Sequence, residues 1–300
     1  MSIAYLFPGQ GSQSVGMGAD LYEQVPAARA LFDQADEQLG FSLSSLCFSG
    51  PEAALTDTTN QQPALFVTSL ATLKAIEAAG WEPPAFMAGH SLGELTALTA
   101  AGSISFAAGL NLVRQRGEIM AAAGVREPGA MAALLALDIP AVTEICAQAA
   151  AATGKPVQVA NDNCPGQVVI SGDETALDKA MDLAEAAGAR KVVKLPITIA
   201  AHSTLMKTAA SEFGTAVDNT PIHAPKIPVI GNVQAQPLTT PDEIRAELKA
   251  QLTSAVAWTD SINYLHAQGV TTFVEVGPGD VLLKLVRRIQ RSSTRLKFEL

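Results

Sequence analysis

Gly89-His90-Ser91-Leu92-Gly93 is the stretch whose residue types and spacing most directly permit chemistry. A GxSxG pattern can lift a serine hydroxyl above a sheet on a sharp strand-to-helix turn, where side chains larger than glycine would collide. The pattern follows Ala85-Phe86-Met87-Ala88, an apolar run that reads as a buried strand. It opens Leu92 to Ala101, which reads as a helix closed by Gly102. The first amides of that helix would point to where an oxyanion develops. The implied chemistry is nucleophilic catalysis by Ser91.

A serine nucleophile needs a base, and the chain has four histidines, His90, His202, His223 and His266. His90 adjoins Ser91, and neighbouring side chains at such a turn point apart, so it is expected to pack or hydrogen-bond locally. Spacing alone does not choose among the other three. A second suggestive loop is Pro8-Gly9-Gln10-Gly11-Ser12-Gln13, directly after an apolar strand at Ile3 to Phe7. Its glycines allow the backbone to approach a ligand closely. It is not a dinucleotide fingerprint, because Ser14 stands where the third glycine belongs, and no phosphate-loop lysine follows.

These loops need a scaffold, and short apolar runs alternating with alanine-rich helical stretches supply an α/β architecture with a largely parallel sheet. Helices are expected at Pro26 to Leu39, Pro63 to Ala79 and Phe106 to Ala122. The middle of the chain reads differently. Met131 to Leu137 is a strand, Ile139 to Ala152 a helix, and Val157 to Ala160 and Gln167 to Ser171 are strands around a turn at 161–166. Glu174 to Ala187 is a helix and Lys191 to Leu195 a strand. The order β-α-β-β-α-β is the ferredoxin-like motif. The expected division is therefore a large α/β-hydrolase-like domain of residues 1–126 and 198–300, with a ferredoxin-like subdomain of residues 127–197 inserted in it. Alternation then resumes with strands at Val229 to Gly231 and Thr272 to Val276 and helices at Pro241 to Gln251 and Val281 to Ile289. Three prolines make residues 221–228 an extended loop.

Composition narrows the function. The chain has 300 residues, 48% hydrophobic, with a formal charge of −9. Such acidity argues against nucleic acid or an anionic membrane as partner. No apolar run is long enough to span a bilayer, and the first residues lack the basic and apolar regions of a signal peptide. The three cysteines, Cys47, Cys146 and Cys164, are scattered and form no CxxC, so neither a metal site nor a disulfide scaffold is expected. A cytoplasmic protein with free thiols is the expectation.

Taken together, Phe7-Pro8-Gly9-Gln10-Gly11-Ser12-Gln13, Gln62-Pro63-Ala64, Gly89-His90-Ser91-Leu92-Gly93-Glu94, Arg116-Gly117, His202-Ser203 and Glu275-Val276-Gly277-Pro278-Gly279 resemble the malonyl-CoA:acyl carrier protein transacylase family. The likeness spans essentially residues 2 to 290, in order and in spacing. The family contains transacylases of fatty-acid synthesis and acyltransferase units of polyketide synthases. The resemblance implies that Ser91 becomes acylated and that His202 is its base, oriented by a backbone carbonyl at Gln251. It implies an oxyanion hole from the amides of Gln10 and Leu92, and an acyl pocket lined by Gln62. Arg116 would hold the free carboxylate of malonyl, a role that suits its planar fork. The substrates would be malonyl-CoA and an acyl carrier protein, with no permanently bound cofactor.

The resemblance has departures. Ala200 and Ala201 precede His202 where malonyl-specific members often carry phenylalanine, which leaves room for substituted malonyl groups. Alternatives within this chemistry are a polyketide trans-acting acyltransferase and the transacylase subunit of a malonate decarboxylase. An acyl-thioester hydrolase is a further alternative, against which Arg116 argues, because an uncharged acyl chain has no use for that cation. Carrier proteins are acidic, so a docking face should be basic. Arg190 and Lys191 are one candidate. Arg287 and Arg288, with Lys284 and Arg291 at helical spacing, are the other. Residues 281–300 hold six basic residues and one acid within an acidic chain.

Overall fold

A computed structural model describes residues 2–300. Its strands are β1 (Ser2–Phe7), β2 (Phe86–Gly89), β3 (Ala130–Leu135), β4 (Val157–Cys164), β5 (Gln167–Gly172), β6 (Lys191–Lys194), β7 (Val229–Ile230), β8 (Pro237–Leu238), β9 (Val270–Glu275) and β10 (Thr294–Lys297). The larger sheet has the order β10-β9-β1-β2-β7-β8. It is parallel throughout except for β8, which runs against β7. Helices cover both of its faces, so a central strand must be apolar on both sides. In β1, Tyr5 and Phe7 enter the core that holds Phe32, Phe66 and Val67. Ala4 and Leu6 enter the opposite one with Trp258, Phe273 and Val286.

The second sheet, β4-β5-β3-β6, is antiparallel. The helices Ile139–Thr153 and Glu174–Ala186 cover one face, where Val142, Ile145, Leu177 and Ala180 pack on Leu134, Val168 and Ile170. Its other face carries Met131, Ala160 and Val169 against Leu195, Ile197 and Ala201. That segment leads the chain from β6 to His202, so the smaller sheet forms a wall of the region around Ser91. The α/β class with a mainly parallel sheet and a small βαββαβ unit is the one read from sequence.

Several element boundaries differ from the expectation, each for a local reason. The helix expected from Pro63 begins at Thr58 and carries Pro63 in its interior. Asp57 caps it by accepting from the Thr59 amide at 2.9 Å. Proline cannot donate to the carbonyl four residues back. Arg114 Nη1 takes over that Thr59 oxygen at 3.0 Å, which removes much of the penalty. The turn expected at 161–166 shrinks to Pro165-Gly166, because β4 continues to Cys164. Residues Asn161 to Cys164 stay extended although polar, since the 160–162 backbone bonds with Val256 of the large domain at 2.9 and 3.0 Å. The helix from Phe106 reaches Arg126. The helices Leu43–Ser49 and Lys207–Asp218 and the edge strand β10 were not foreseen. Short or polar-rich segments like these are held by tertiary contact more than by their own periodicity.

Register brings two functional loops together. Phe7 pairs with Gly89, so β1 and β2 end side by side. A Cβ on Gly93 would lie 2.0 Å from the Phe7 oxygen, and one on Gly9 would lie 2.4 Å from the His90 oxygen. These glycines are thus required by close backbone approach. Cys47, Cys146 and Cys164 are free and buried. No helix among the described residues is long and apolar enough to cross a membrane.

Glu275, at the end of β9, is fully buried and accepts from the amides of Leu282 and Leu283 at 3.1 and 3.0 Å. These amides open the helix Val281–Ile289. Burial nevertheless dominates and raises the carboxyl from 4.5 to about 7. The folded state therefore binds this proton more tightly than the unfolded chain, and the associated stability is present below pH 4.5 and lost as pH rises through 7. Glu275→Gln mimics the protonated form. Its melting temperature relative to the parent is expected to be several degrees more favourable at pH 8 than at pH 5 by calorimetry; an offset independent of pH contradicts this account.

Candidate active site

Ser91 stands at the junction of β2 and the helix Leu92–Ala100 with φ 52° and ψ −108°. A non-glycine residue in that region is strained by about 1–3 kcal/mol and persists only where its surroundings dictate it. Those surroundings are visible. Asn232, just beyond β7, accepts from the Ser91 amide at 2.7 Å and donates to the Gly89 carbonyl at 2.7 Å. A Cβ on Gly89 would fall 1.9 Å from the Gly93 oxygen, so the elbow closes only with glycine at that position.

His202 Nε2 lies 2.9 Å from Ser91 Oγ. Its Nδ1 faces two carbonyls, Gln251 at 2.9 Å and Ser254 at 3.1 Å. Carbonyls only accept, so Nδ1 carries the hydrogen and Nε2 is left as the acceptor for the serine proton. His202 also has a positive φ, 59°, and its own carbonyl accepts from Gln158 of β4 at 3.1 Å. Burial, reinforced by the Arg116 charge, lowers the imidazole to about 3, so it is neutral at physiological pH.

Arg116 is 1% exposed, on the helix Phe106–Arg126. Its guanidinium donates to Gln62 Oε1 at 3.0 Å, Gln251 Oε1 at 2.8 Å and Ser91 Oγ at 3.1 Å. Its Nε has no protein partner. Desolvation lowers it to about 10, and Glu94 opposes that shift. At neutral pH it is a charged, dehydrated donor against the nucleophile. Gln62 is itself buried and bonded to Arg116 and to Met120 Sδ, at 3.4 Å, so it orients the arginine. Leu92 opens its helix, so its amide has no intrahelical acceptor. Gln10 lies exposed on the loop beside the elbow.

Other residues fall elsewhere. His90 is engaged with Asn163 Oδ1 at 2.9 Å and packs on the Trp258 ring at 5.4 Å. The His266 ring lies 3.4 Å from the Val270 carbonyl. In the loop at 221–228, the His223 backbone amide bonds to Ser103. Ala200 is fully buried against Gly129, so of the two alanines before His202 only Ala201 keeps exposed surface. Among the described residues no group of three His, Cys, Asp or Glu side chains could hold a metal. Asn232, Ser254 and Gln158 belong to the site and were not singled out from sequence. A polar residue at the end of a sheet strand is the only signal for Asn232, and many positions share it.

The basic candidates form one face. Arg190 and Lys191 are exposed at β6, and Arg287, Arg288 and Arg291 on the C-terminal helix and just past it. Between the groups lies the Pro165-Gly166 turn. The Arg190 amide bonds to Leu135, the Ala136 amide to Gly166 at 2.9 Å, and Arg288 to the Pro165 carbonyl at 2.9 Å and Gln167 at 3.0 Å. Arg287, Arg288, Arg291, Arg295 and Pro165 line a basin of about 490 Å³. Lys284 is paired with Asp280 at 2.6 Å and Arg288 is occupied, so the stripe is only partly free.

An acyl transferase domain matches residues 4–298. The malonyl CoA-acyl carrier protein transacylase of Bacillus subtilis is 48% identical over 289 residues, 96% of this chain and 90% of that protein. An acyl carrier protein S-malonyltransferase from Vibrio cholerae superposes with a TM-score of 0.96 at 41% identity, covering 100% of this chain and 97% of the other. A malonyl-transacylase solved in complex with a type II polyketide acyl-carrier protein superposes with a TM-score of 0.96 at 37% identity, covering 99% and 96%.

The neutral His202 has a kinetic consequence. Labelling of Ser91 by a fluorophosphonate, followed by intact mass, is expected to show no inflection near pH 6.5 between pH 5 and 8, because the base holds no proton to lose there. A labelling rate that halves at pH 6.5 contradicts the assigned state.

Proposed function

The chain belongs to the acyl transferase domain family, and we propose that it moves a malonyl group from coenzyme A to the phosphopantetheine thiol of an acyl carrier protein through an ester on Ser91. The observation that carries this reading is Arg116. A buried guanidinium 3.1 Å from the nucleophile, with Nε unpartnered, suits an acyl group that ends in a carboxylate. It would be a costly neighbour for a plain acyl chain, which is the physical argument against a general thioesterase.

The cycle draws on the residues around Ser91. Ser91 Oγ attacks the thioester carbonyl while its proton passes to His202 Nε2. Amides of Gln10 and Leu92 hold the oxyanion, a contribution of roughly 10²–10³ in rate per donor in comparable sites. Collapse expels the coenzyme A sulfur, which leaves with the proton from His202. The carrier thiol then gives its proton to His202 and attacks the malonyl ester. Ser91 departs and recovers the proton. Transfer is therefore ping-pong, and no step calls for a resident metal or redox group. Free buried cysteines suit a cytoplasmic setting. The basic face across the Pro165-Gly166 turn is where an acidic carrier would dock.

Intact mass spectrometry after incubation with malonyl-, methylmalonyl- or acetyl-CoA tests the reading. Malonyl is expected to load on Ser91 and persist without carrier, and Ser91→Ala to load nothing. Arg116→Ala should lower malonyl loading by about a hundredfold or more, and acetyl loading far less. Rapid turnover to free malonate without a carrier would instead mark a hydrolase. Arg287→Glu with Arg291→Glu, which spares the Arg288 strap, should raise the KM for carrier protein severalfold and leave that for malonyl-CoA unchanged.

A further inference from the structure

Glu94 is fully buried behind the nucleophile, yet no step of the transfer uses it. Its Oε1 accepts from the Asn232 amide at 2.8 Å, and its Oε2 accepts from Gln251 Nε2. Burial, and after it the charge of the neighbouring Glu247 carboxyl, pushes the Glu94 carboxyl well above the usual carboxylate range. Glu247 in turn accepts from the Val233 amide at 2.7 Å.

The Gln251 side chain is the link to the reacting atoms. Its Nε2 donates to Glu94 and to the Ser91 carbonyl at 3.0 Å, and its Oε1 accepts from Arg116 at 2.8 Å. A primary amide has one donating and one accepting end, whereas a guanidinium only donates. Turned end for end, Gln251 would present N–H to Arg116 and oxygen to two acceptors. All three hydrogen bonds would become repulsions around a fully buried side chain.

We propose that Glu94 is a positioning residue for recognition of the acyl carboxylate: by accepting from Gln251 it keeps that amide's oxygen on Arg116, and so aims the guanidinium at the space beside Ser91. The inference rests on the malonyl reading. It distinguishes the polarity of Glu94 from its bulk. Glutamine at this position has nearly the same shape, and its oxygen would be held by the Asn232 amide. Its NH2 would then face the NH2 of Gln251. Gln251 must turn, and Arg116 loses one of its three acceptors.

The experiment is competition loading. Each purified chain is mixed with equimolar malonyl-CoA and acetyl-CoA without carrier, and the malonyl-to-acetyl ratio on Ser91 is read by intact mass. Glu94→Gln is expected to lower that ratio by about tenfold or more. Glu247→Gln, which changes a carboxyl near Glu94 that bonds to the Val233 amide and not to Gln251, is expected to hold the ratio within about twofold. A structural defect alone would lower both adducts together and leave the ratio intact. Gln251→Met cuts the same relay from its other end and serves if Glu94→Gln does not fold; it too should lose the ratio. A parental ratio in folded Glu94→Gln, or in Gln251→Met, overturns the proposal. If the parent chain loads no malonyl at all, the functional reading falls with it, whereas parental loading with an unchanged variant ratio removes only the role of Glu94.

Discussion

A single buried positive charge organises this site. Placing the Arg116 guanidinium at 1% exposure removes its water, and an unpaired buried ion is among the most unfavourable features a protein can hold. The surrounding side chains answer that cost. Gln62 and Gln251 supply oxygens, and Glu94 supplies an acidic partner one amide away. The same charge sits beside Ser91 Oγ and helps keep His202 unprotonated. The buried charge, Ser91 and His202 therefore share one electrostatic environment.

The nucleophile is held by backbone geometry as much as by side chains. Ser91 and His202 both occupy positive φ, and each is pinned from outside its own segment: Ser91 by Asn232, His202 by carbonyls of Gln251 and Ser254 and by Gln158 of the smaller sheet. Strain of this kind survives where neighbouring structure over-determines it. The inserted βαββαβ unit is thus more than a cover, because β4 touches His202 directly through Gln158. Arg114 does comparable work between two helices. By taking the carbonyl that Pro63 leaves free, it ties the helix of Gln62 to the helix of Arg116, whose side chains meet at 3.0 Å.

Much of this was legible in one dimension because the signals were local. The GxSxG turn is a requirement of backbone proximity, seen directly in the clashes that a Cβ at Gly89 or Gly93 would make. The two helices of the inserted unit and the buried strands announced themselves by periodicity. Elements that depend on remote partners did not. The extended run Asn161 to Cys164 is polar and reads as a turn, yet Val256 holds it as strand. Pro63 reads as a helix start, and only Arg114 explains how the helix passes through it.

The amino-acid sequence by itself determined the elbow, the alternation of elements and, through its ordered motifs, the family. Which histidine lies against Ser91 was open to residue spacing and is decided in space, where His202 lies 2.9 Å away and His223 and His266 are engaged elsewhere. The contacts of Asn232, Ser254 and Glu94 with the site were likewise decided only by tertiary structure. Their contacts with the site join residues 52 to 157 positions apart, as with His202 and Ser254 or Glu94 and Gln251. Hydrogen bonds act over about 3 Å, and no local pattern records which distant backbone carbonyl or carboxyl the fold will bring within that reach.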